Sequence, residues 1–293
     1  MVSFSYKLKG ENHVFKKITA FILAAAITLA FTACSGKETS SGKTPAEKTL
    51  TAEEIYKTAA KKNQDATTTD MSIDMKIDMT ADGESISMNM SMRAMADMTD
   101  ENNIKLGVAS VTSIPEMGDT KVNYAYIKDT IYVDAAGIKY KSAVTPEVAE
   151  SIMGNSSANE IINAEIIKDA ELTKDGDNSI ITFKFDESLY NDILNDSMGE
   201  MTEVSGISYE FKDVTGTAVI DSDYNLKSIK VTMSAVMTNS EAGAETGGAQ
   251  SAEMNLEMDI TVNSIGEPVE ISAPSDIENY TDISADMLTG GAA

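Results

Sequence analysis

The sequence predicts an α+β fold that is mainly β: a strongly curved antiparallel sheet with a few helices covering its concave face. Three observations lead to this prediction. Long segments alternate apolar and polar residues with a period of two, which is typical of strands with one buried face. Turn signals separate these segments at short spacing, so successive strands should pair antiparallel. Few segments have helical periodicity, and they are too short to cover a broad flat sheet.

Residues 1–33 have the pattern of a lipoprotein signal peptide. Lys16 and Lys17 precede a run of about fourteen apolar residues from Ile18 to Phe31. A membrane-spanning helix needs about 20 apolar residues, so this run is too short to be one. Small residues then lead into Cys34, the single cysteine of the chain. We therefore expect cleavage before Cys34 and lipid attachment to its sulfur, which would hold the protein on the extracytoplasmic face of a bacterial membrane.

The rest of the chain divides into a tether, one domain and a short tail. Residues 34–49 are small and polar and include Pro45, a composition typical of a flexible linker. Residues 50–275 contain the periodic segments without an internal linker, so we expect a single domain there. Residues 276–293 are assigned to a C-terminal tail.

Charge and composition exclude several classes of function. The chain has 23 basic and 47 acidic residues and a net charge of −24 at pH 7. Such a surface repels nucleic acid and anionic lipid head groups. The single histidine, His13, lies in the predicted signal peptide. Because the mature chain then lacks imidazole and free thiol groups, we expect no enzyme activity of the Ser-His-Asp or Cys-His type, no cofactor and no histidine-ligated metal.

The first element of the domain is a short amphipathic helix. Thr51 and Glu54 form a capping box, in which each side chain accepts a hydrogen bond from the backbone amide of the other. The helix should end at about Asn63. Its apolar stripe is formed by Ala52, Ile55, Tyr56 and Ala59.

A β-hairpin around Asp82-Gly83 follows the helix. Apolar residues alternate with polar ones over 71–79 and again, in the inverted phase, over 86–94. A two-residue turn at Asp82-Gly83 gathers the apolar residues of both strands on one face. The predicted pairs are 79 with 86, 77 with 88, 75 with 90, 73 with 92 and 71 with 94.

The middle of the chain should combine a meander of short strands with two further helices. One helix starts at Thr145-Pro146, a helical or irregular segment runs through Ile161 and Ile162, and another helix starts at Asp186. Residues 166–185 resemble a hairpin around 174–177, although no register sorts their apolar residues. The strands of the meander are predicted over 104–112, 120–127, 130–133 and 138–141.

Two long alternating segments, 229–237 and 254–262, should form the closing strands of the sheet, after a strand around Gly216. Pairing Met237 with Met254 and Ile229 with Val262 places their apolar residues on one face. Residues 241–250 would then form an exposed hairpin loop.

The apolar face of these strands needs a cover. Two sheets could pack as a sandwich, or one curved sheet could wrap around the helices and leave a cavity. Flexible, polarizable methionine side chains would suit a cavity for irregular apolar ligands, whereas a core filled by the protein's own side chains is the alternative. The candidate lining residues are Met71, Ile73, Met75, Ile77, Met79, Ile86, Met88, Met90, Met92, Met233, Met237, Met254, Leu256 and Met258.

Two segments resemble metal-binding patterns but lack residues that such sites need. Met88, Met90 and Met92 provide thioethers suited to Cu(I), but their spacing places them on an apolar strand face with no histidine or cysteine. Residues 221–225 begin like an EF-hand loop, but Leu226 stands where that loop requires glycine. We expect a polar hairpin turn there and no metal site.

The order of elements resembles the LolA-like superfamily, in particular the LppX and LprG type of lipoprotein from Gram-positive bacteria. The resemblance covers roughly residues 50–275 and includes the meander element 124–132 and the closing segment 263–271. It implies a half-open barrel with helices in its mouth that carries lipid or acyl chains. The superfamily is also similar to sensory domains of anti-sigma regulators, which dock peptides or proteins.

The expected function is therefore binding of a lipid or another hydrophobic small molecule by a membrane-anchored lipoprotein, for transport or for sensing. The alternative is an envelope interaction module with a packed core, which docks a protein or peptide partner and carries no lipid. Extraction of bound lipid would separate the two expectations.

Overall fold

The computed structural model describes residues 50–81, 83–100, 103–115, 117–145, 148–149, 167–186, 188, 207–239, 250–284 and 287. Within these ranges the chain forms a 13-residue α-helix, a short 3-10 helix and a twelve-stranded sheet, and residues 148–149, 188 and 287 are also helical. The elements are α1 (Ala52–Gln64), β1 (Thr68–Ala81), β2 (Glu84–Asp97), β3 (Lys105–Ile114), β4 (Gly118–Ile127), β5 (Thr130–Ala135), β6 (Ile138–Ala143), β7 (Ile167–Asp175), β8 (Asn178–Phe185), β9 (Ile207–Ile220), β10 (Leu226–Asn239), β11 (Gln250–Ile265), the 3-10 turn Ile277–Asn279 and β12 (Thr281–Asp282).

The sheet is large, curved and unclosed, so the predicted mainly β fold class is confirmed. Its strand order is β12-β6-β5-β4-β3-β2-β1-β11-β10-β9-β8-β7. All neighbours pair antiparallel except β12 and β6, which pair parallel. The first and last long strands, β1 and β11, are therefore neighbours in the middle of the sheet.

Helix α1 forms as the sequence predicts. The Glu54 amide donates to Thr51 Oγ1 at 3.2 Å, and the Thr51 amide donates to Glu54 Oε2 at 2.9 Å, so both halves of the capping box are present. The predicted apolar stripe is buried, together with Ala60 and Asn63. The helix lies against β7, β9 and β10, and Lys62 Nζ donates to the Asp223 carbonyl at 3.0 Å.

The β1–β2 hairpin has the predicted register. Met79 pairs with Ile86, Met75 with Met90, and Met71 with Ala94. Gly83 adopts a φ of +82°, a left-handed conformation that glycine reaches without strain. Turn and apolar alternation therefore specify the same pairing.

The predicted register of β10 and β11 is wrong by two residues. Met237 pairs with Ala252 rather than Met254, and Ile229 pairs with Ile260 rather than Val262. A shift of two keeps every side chain on its original face, so apolar alternation cannot detect it. Gln250, assigned to the loop from sequence, belongs to β11, and the rest of that predicted loop lies outside the described residues.

The predicted meander is confirmed, each strand being slightly longer than the alternation indicated. Thr281 and Asp282, placed in the tail from sequence, join the sheet by pairing with Tyr140 and Lys141. Between β11 and β12, Ile271 lies over Gly107 on the polar face of the sheet. Its Cγ2 atom is 3.5 Å from the position that a Cβ on residue 107 would take. No periodic pattern precedes this two-residue strand, so sequence reasoning had no signal for it.

Two irregularities explain where the sequence pattern was unclear. The β7–β8 register shifts between Lys168 and Glu171, and Asp169 has a φ of +51°. In β9, Asp213 has a φ of +53° beside the point where the register against β10 shifts. Such bulges break the period of two on which strand prediction depends.

Several predictions fall on residues that the structure does not describe. These are the signal peptide, the whole of the tether including Cys34, and most of the helical segments predicted after Thr145 and after Asp186. By contrast, the predicted polar turn at 221–225 is described: Asp221 Oδ1 accepts from the amides of Asp223 and Asn225 at 3.0 and 2.8 Å.

Candidate functional site

The buried face of β2, β1, β11 and β10 forms a continuous surface rich in methionine, here called the methionine surface. Met75 is paired with Met90 on one side and with Met258 on the other. Met79 likewise lies between Ile86 and Met254. The surface comprises Met71, Ile73, Met75, Ile77, Met79, Ile86, Met88, Met90, Met92, Val231, Met233, Met237, Met254, Leu256 and Met258.

All fourteen lining residues proposed from sequence lie on this surface. All are buried except Ile86 and Leu256, which are partly buried. Met75, Met90 and Met258 are only 4%, 2% and 2% exposed. These side chains are therefore withdrawn from bulk solvent in the described conformation. Val231 also lies on this surface and was absent from the proposed set, as were Ile229, Ile260 and Val262, which are buried on the same face in the same alternating segments.

A polar margin borders the methionine surface on the β3 side. Thr112 pairs with Met90, and Ser110 pairs with Met92, so both hydroxyls lie on the buried face. The Ser110 hydroxyl donates to the Val122 carbonyl at 3.2 Å, which satisfies it locally. Sequence reasoning omitted these residues because it selected apolar side chains, although the period of two in β3 already assigned them to this face.

An aromatic cluster borders the surface on the opposite side. It consists of Tyr56 on α1 and of Phe183 and Phe185 on β8, with ring centroids 5.1 Å apart for Tyr56–Phe183 and 5.3 Å for the two phenylalanines. Phe183 pairs with Gly216 on β9, and a Cβ on Gly216 would stand 2.3 Å from the ring. Gly216 in turn pairs with Val231. Because Gly216 has no side chain, the Phe183 ring can occupy the space over β9 next to the methionine surface.

Tyr56 brings a buried polar atom into this cluster. The residue is 1% exposed, and its hydroxyl has no hydrogen-bond partner within the described part of the chain. Two other buried oxygens, Asn63 Oδ1 and Thr68 Oγ1, share that property. Burial raises the pKa of the Tyr56 hydroxyl well above its usual range, so this group stays neutral and can donate.

The opposite face of the same strands is polar and internally paired. Arg93 donates through Nε and Nη2 to the two carboxylate oxygens of Asp70 at 3.0 and 2.7 Å, and Asn263 Nδ2 donates to Asp70 Oδ1 at 3.0 Å. The hydrogen bond from Arg93 and that from Asn263 lower the pKa of Asp70, against the effect of its burial. This network links β2, β1 and β11 on the face away from the methionines.

The described residues contain neither a candidate metal site nor a candidate membrane span. No group of three or more His, Cys, Asp or Glu side chains is placed to hold a metal ion there. Among those residues, no helix has the length and apolar character needed to cross a membrane. What the described part offers chemically is an apolar surface with one polar and one aromatic margin.

These features define a protein class: a curved open antiparallel sheet with one apolar, methionine-rich face. Residues 51–282 match the family described as "Family of unknown function (DUF6612)", and the chain belongs to that family. A search of curated proteins found no match.

Several solved structures are similar to this chain over about three quarters of its length. Lipoprotein LppX of Mycobacterium tuberculosis is similar at 12% identity and a TM-score of 0.38, over 75% of this chain and 98% of that one. LprF of Mycobacterium bovis is similar at 12% identity and a TM-score of 0.38, over 76% and 96%. A Vibrio parahaemolyticus domain named for outer membrane lipoprotein sorting is similar at 11% identity and a TM-score of 0.22, over 75% and 95%.

Proposed function

We propose that this chain is a lipoprotein of the bacterial envelope, anchored on the extracytoplasmic face through lipid on Cys34, and that it binds a lipid or another hydrophobic molecule. The anchor is supported by the sequence of residues 16–34. The binding role is supported by one observation, the methionine surface that spans four neighbouring strands.

Methionine is the informative residue type in this surface. A core that needs one fixed packing is built mainly from branched and aromatic side chains, because their rotamers are well defined. Methionine has three rotatable side-chain bonds and a polarizable sulfur, so a surface of methionines changes shape at low cost. In the described conformation the surface is closed. On binding, the thioethers would rearrange around an acyl chain.

A second candidate function is supported by the low exposure of the same side chains. Met90 and Met258 are each only 2% exposed, as expected for a filled core. In this case the protein would be an envelope interaction module that docks a protein or peptide on its outer surface and carries no lipid.

Native mass spectrometry of the full-length protein, purified from membranes in detergent, separates the two candidates. Covalent acyl chains stay attached on collisional activation, whereas a bound lipid dissociates as a separate mass. The first candidate predicts such a lipid at close to one molecule per chain. A protein that carries only its covalent acyl chains supports the interaction module instead.

A pair of variants connects the bound lipid to the methionine surface. Met75→Phe with Met258→Phe places two rigid rings on neighbouring strands of that surface. We expect the lipid-bound fraction to fall several-fold, at a stability cost of about 1–3 kcal/mol from overpacking. Met95→Phe, on the polar face of β2, is the matched control and should keep the lipid. Equal lipid loss in both variants would contradict the assignment of the surface.

A further inference from the structure

The aromatic cluster and the methionine surface form one continuous apolar environment. Phe183, Gly216, Val231, Met258, Met75 and Met90 occupy paired positions across six neighbouring strands. The Tyr56 ring packs at a tilt of 57° against Phe183, at one end of this row, with ring centroids 5.1 Å apart. All of these residues except Gly216 belong to the same hydrophobic cluster. A molecule that lies along the row would therefore end near Tyr56.

A buried hydroxyl without a partner is costly, so its presence needs a physical reason. Such a group loses its hydrogen bonds to water and gains none in exchange. Tyr126 shows the ordinary solution in this fold: it is also 1% exposed, and its hydroxyl donates to Asp129 Oδ1 at 3.1 Å. Phenylalanine at position 56 would keep the ring contact with Phe183 without the cost of the unpaired hydroxyl. The hydroxyl of Tyr56 is thus unexplained by the packing of the described residues.

We propose, building on the proposed function, that the Tyr56 hydroxyl donates a hydrogen bond to an oxygen atom of the bound hydrophobic molecule. The ligand class is then an acyl lipid with an ester, amide or hydroxyl oxygen near its apolar chain, and a pure hydrocarbon is a poor ligand. Because burial keeps the hydroxyl protonated, it serves as a donor over the whole physiological pH range. The methionine surface accommodates the chain, and Tyr56 selects the molecule that carries an oxygen.

The test compares two probes of similar shape, methyl palmitate and hexadecane, both tritium-labelled. Their retention is measured on the full-length protein in phosphatidylcholine nanodiscs, with empty nanodiscs as background. Wild type should retain the ester more tightly than the alkane. Tyr56→Phe should weaken ester binding about five- to tenfold, the value of one neutral hydrogen bond, and leave alkane binding unchanged.

Tyr126→Phe is the matched control, since it removes a buried hydroxyl that already has a partner. It should lower the melting temperature and leave the preference for the ester intact. Once co-purified lipid has been removed from both proteins, Tyr56→Phe should melt at the same temperature as wild type or higher, because no hydrogen bond within the described part of the protein is lost. The carbonyl stretch of carbon-13-labelled methyl palmitate should move to higher frequency in Tyr56→Phe alone.

Three results would overturn the inference, and they are distinguishable. If Tyr56→Phe weakens the binding of both probes equally, or of neither, the hydroxyl does not donate to a ligand oxygen, although the binding function stands. If, in the lipid-free proteins, Tyr56→Phe melts at a lower temperature than wild type, the hydroxyl is satisfied within the protein or by a structural water. If wild type retains neither probe above background, the proposed function itself fails and the role of Tyr56 fails with it.

Discussion

Gly216 shows how one residue connects the helix to the apolar surface. It needs no unusual backbone angle, and its importance lies in the space that its missing Cβ leaves for the Phe183 ring. Any side chain there would push the ring away from β9 and disturb its contact with the Tyr56 ring. The alternation of β9 predicted that position 216 faces inward, but the ring that occupies the space is invisible to local sequence, because Phe183 belongs to another strand.

Gly216→Ala should therefore destabilise the domain. We expect a loss of about 1–3 kcal/mol in the free energy of unfolding, because a methyl group 2.3 Å from the ring forces a shift. Urea denaturation measures the loss. The double variant with Phe183→Leu should recover part of it, and strictly additive losses would show that the two side chains do not compete for the same space.

At the scale of the elements, the length of the connection between two strands decides whether their register could be predicted from sequence. The β1–β2 register was predictable because a two-residue turn and apolar alternation both constrain it. The β10–β11 register was not, since a long connection tolerates a slip of two residues that leaves every side chain on its face. The structure resolves the ambiguity through β1, which pairs with the other side of β11.

The candidate site was predictable to the same extent as the strands. Alternation alone placed the methionines on one face, because inward positions recur every second residue. The aromatic cluster could not be predicted, because it depends on how α1 packs on the sheet. Helix α1 lies against β7, β9 and β10, and such long-range contacts leave no local signal in the sequence. Tyr56 was accordingly predicted as part of an apolar stripe, and its unpaired hydroxyl became evident only from the packing.

The Asp70 network makes strand association dependent on pH. The hydrogen bond from Arg93 lowers the folded-state pKa of Asp70 below its value in the unfolded chain. Its contribution to stability is therefore present above the unfolded pKa, about 3.9, and is lost as the pH falls through the folded pKa. Acid should weaken the contact among β2, β1 and β11 first on their polar face.

Arg93→Gln should raise the pKa of Asp70 and make stability less sensitive to acid between about pH 5 and pH 2. At neutral pH the expected loss is about 0.5–1 kcal/mol, because Arg93 is largely exposed and solvent screens the pair. Carboxyl carbon NMR gives the pKa, and urea unfolding gives the stability. Lys76→Gln removes a more exposed pair with Asp78 and serves as the control. An unchanged Asp70 pKa in Arg93→Gln would contradict the assignment.

At the scale of the whole molecule, an open sheet leaves two edges, and each is protected differently. β7 presents charged, exposed residues and a bulge at Asp169, features that discourage pairing with another chain. At the other edge, β6 is covered for two residues by β12. The approach to β12 is held by an ion pair between Lys139 and Asp276 and by an edge-to-face contact between Tyr132 and Tyr280 at 5.6 Å.

Tyr280→Ala should release this C-terminal segment from the β6 edge. Tyr280 is 8% exposed, so its truncation should cost about 2–4 kcal/mol if the segment is part of the cooperative fold. Hydrogen exchange at the amides of β6 should become faster as the free energy of unfolding falls. Unchanged exchange there, with unchanged stability, would show that the segment is a dispensable tail.

The position of β1 also has a consequence for the order of folding. Its hairpin with β2 closes within thirty residues, whereas its other side pairs with β11, and Met79 must find Met254 at the far end of the chain. Until residue 265 has been synthesised, an alternating methionine-rich strand has an unpaired side. Contacts of such sequence separation are slow to form. The nascent protein is therefore most prone to aggregate in the interval before its last long strand arrives.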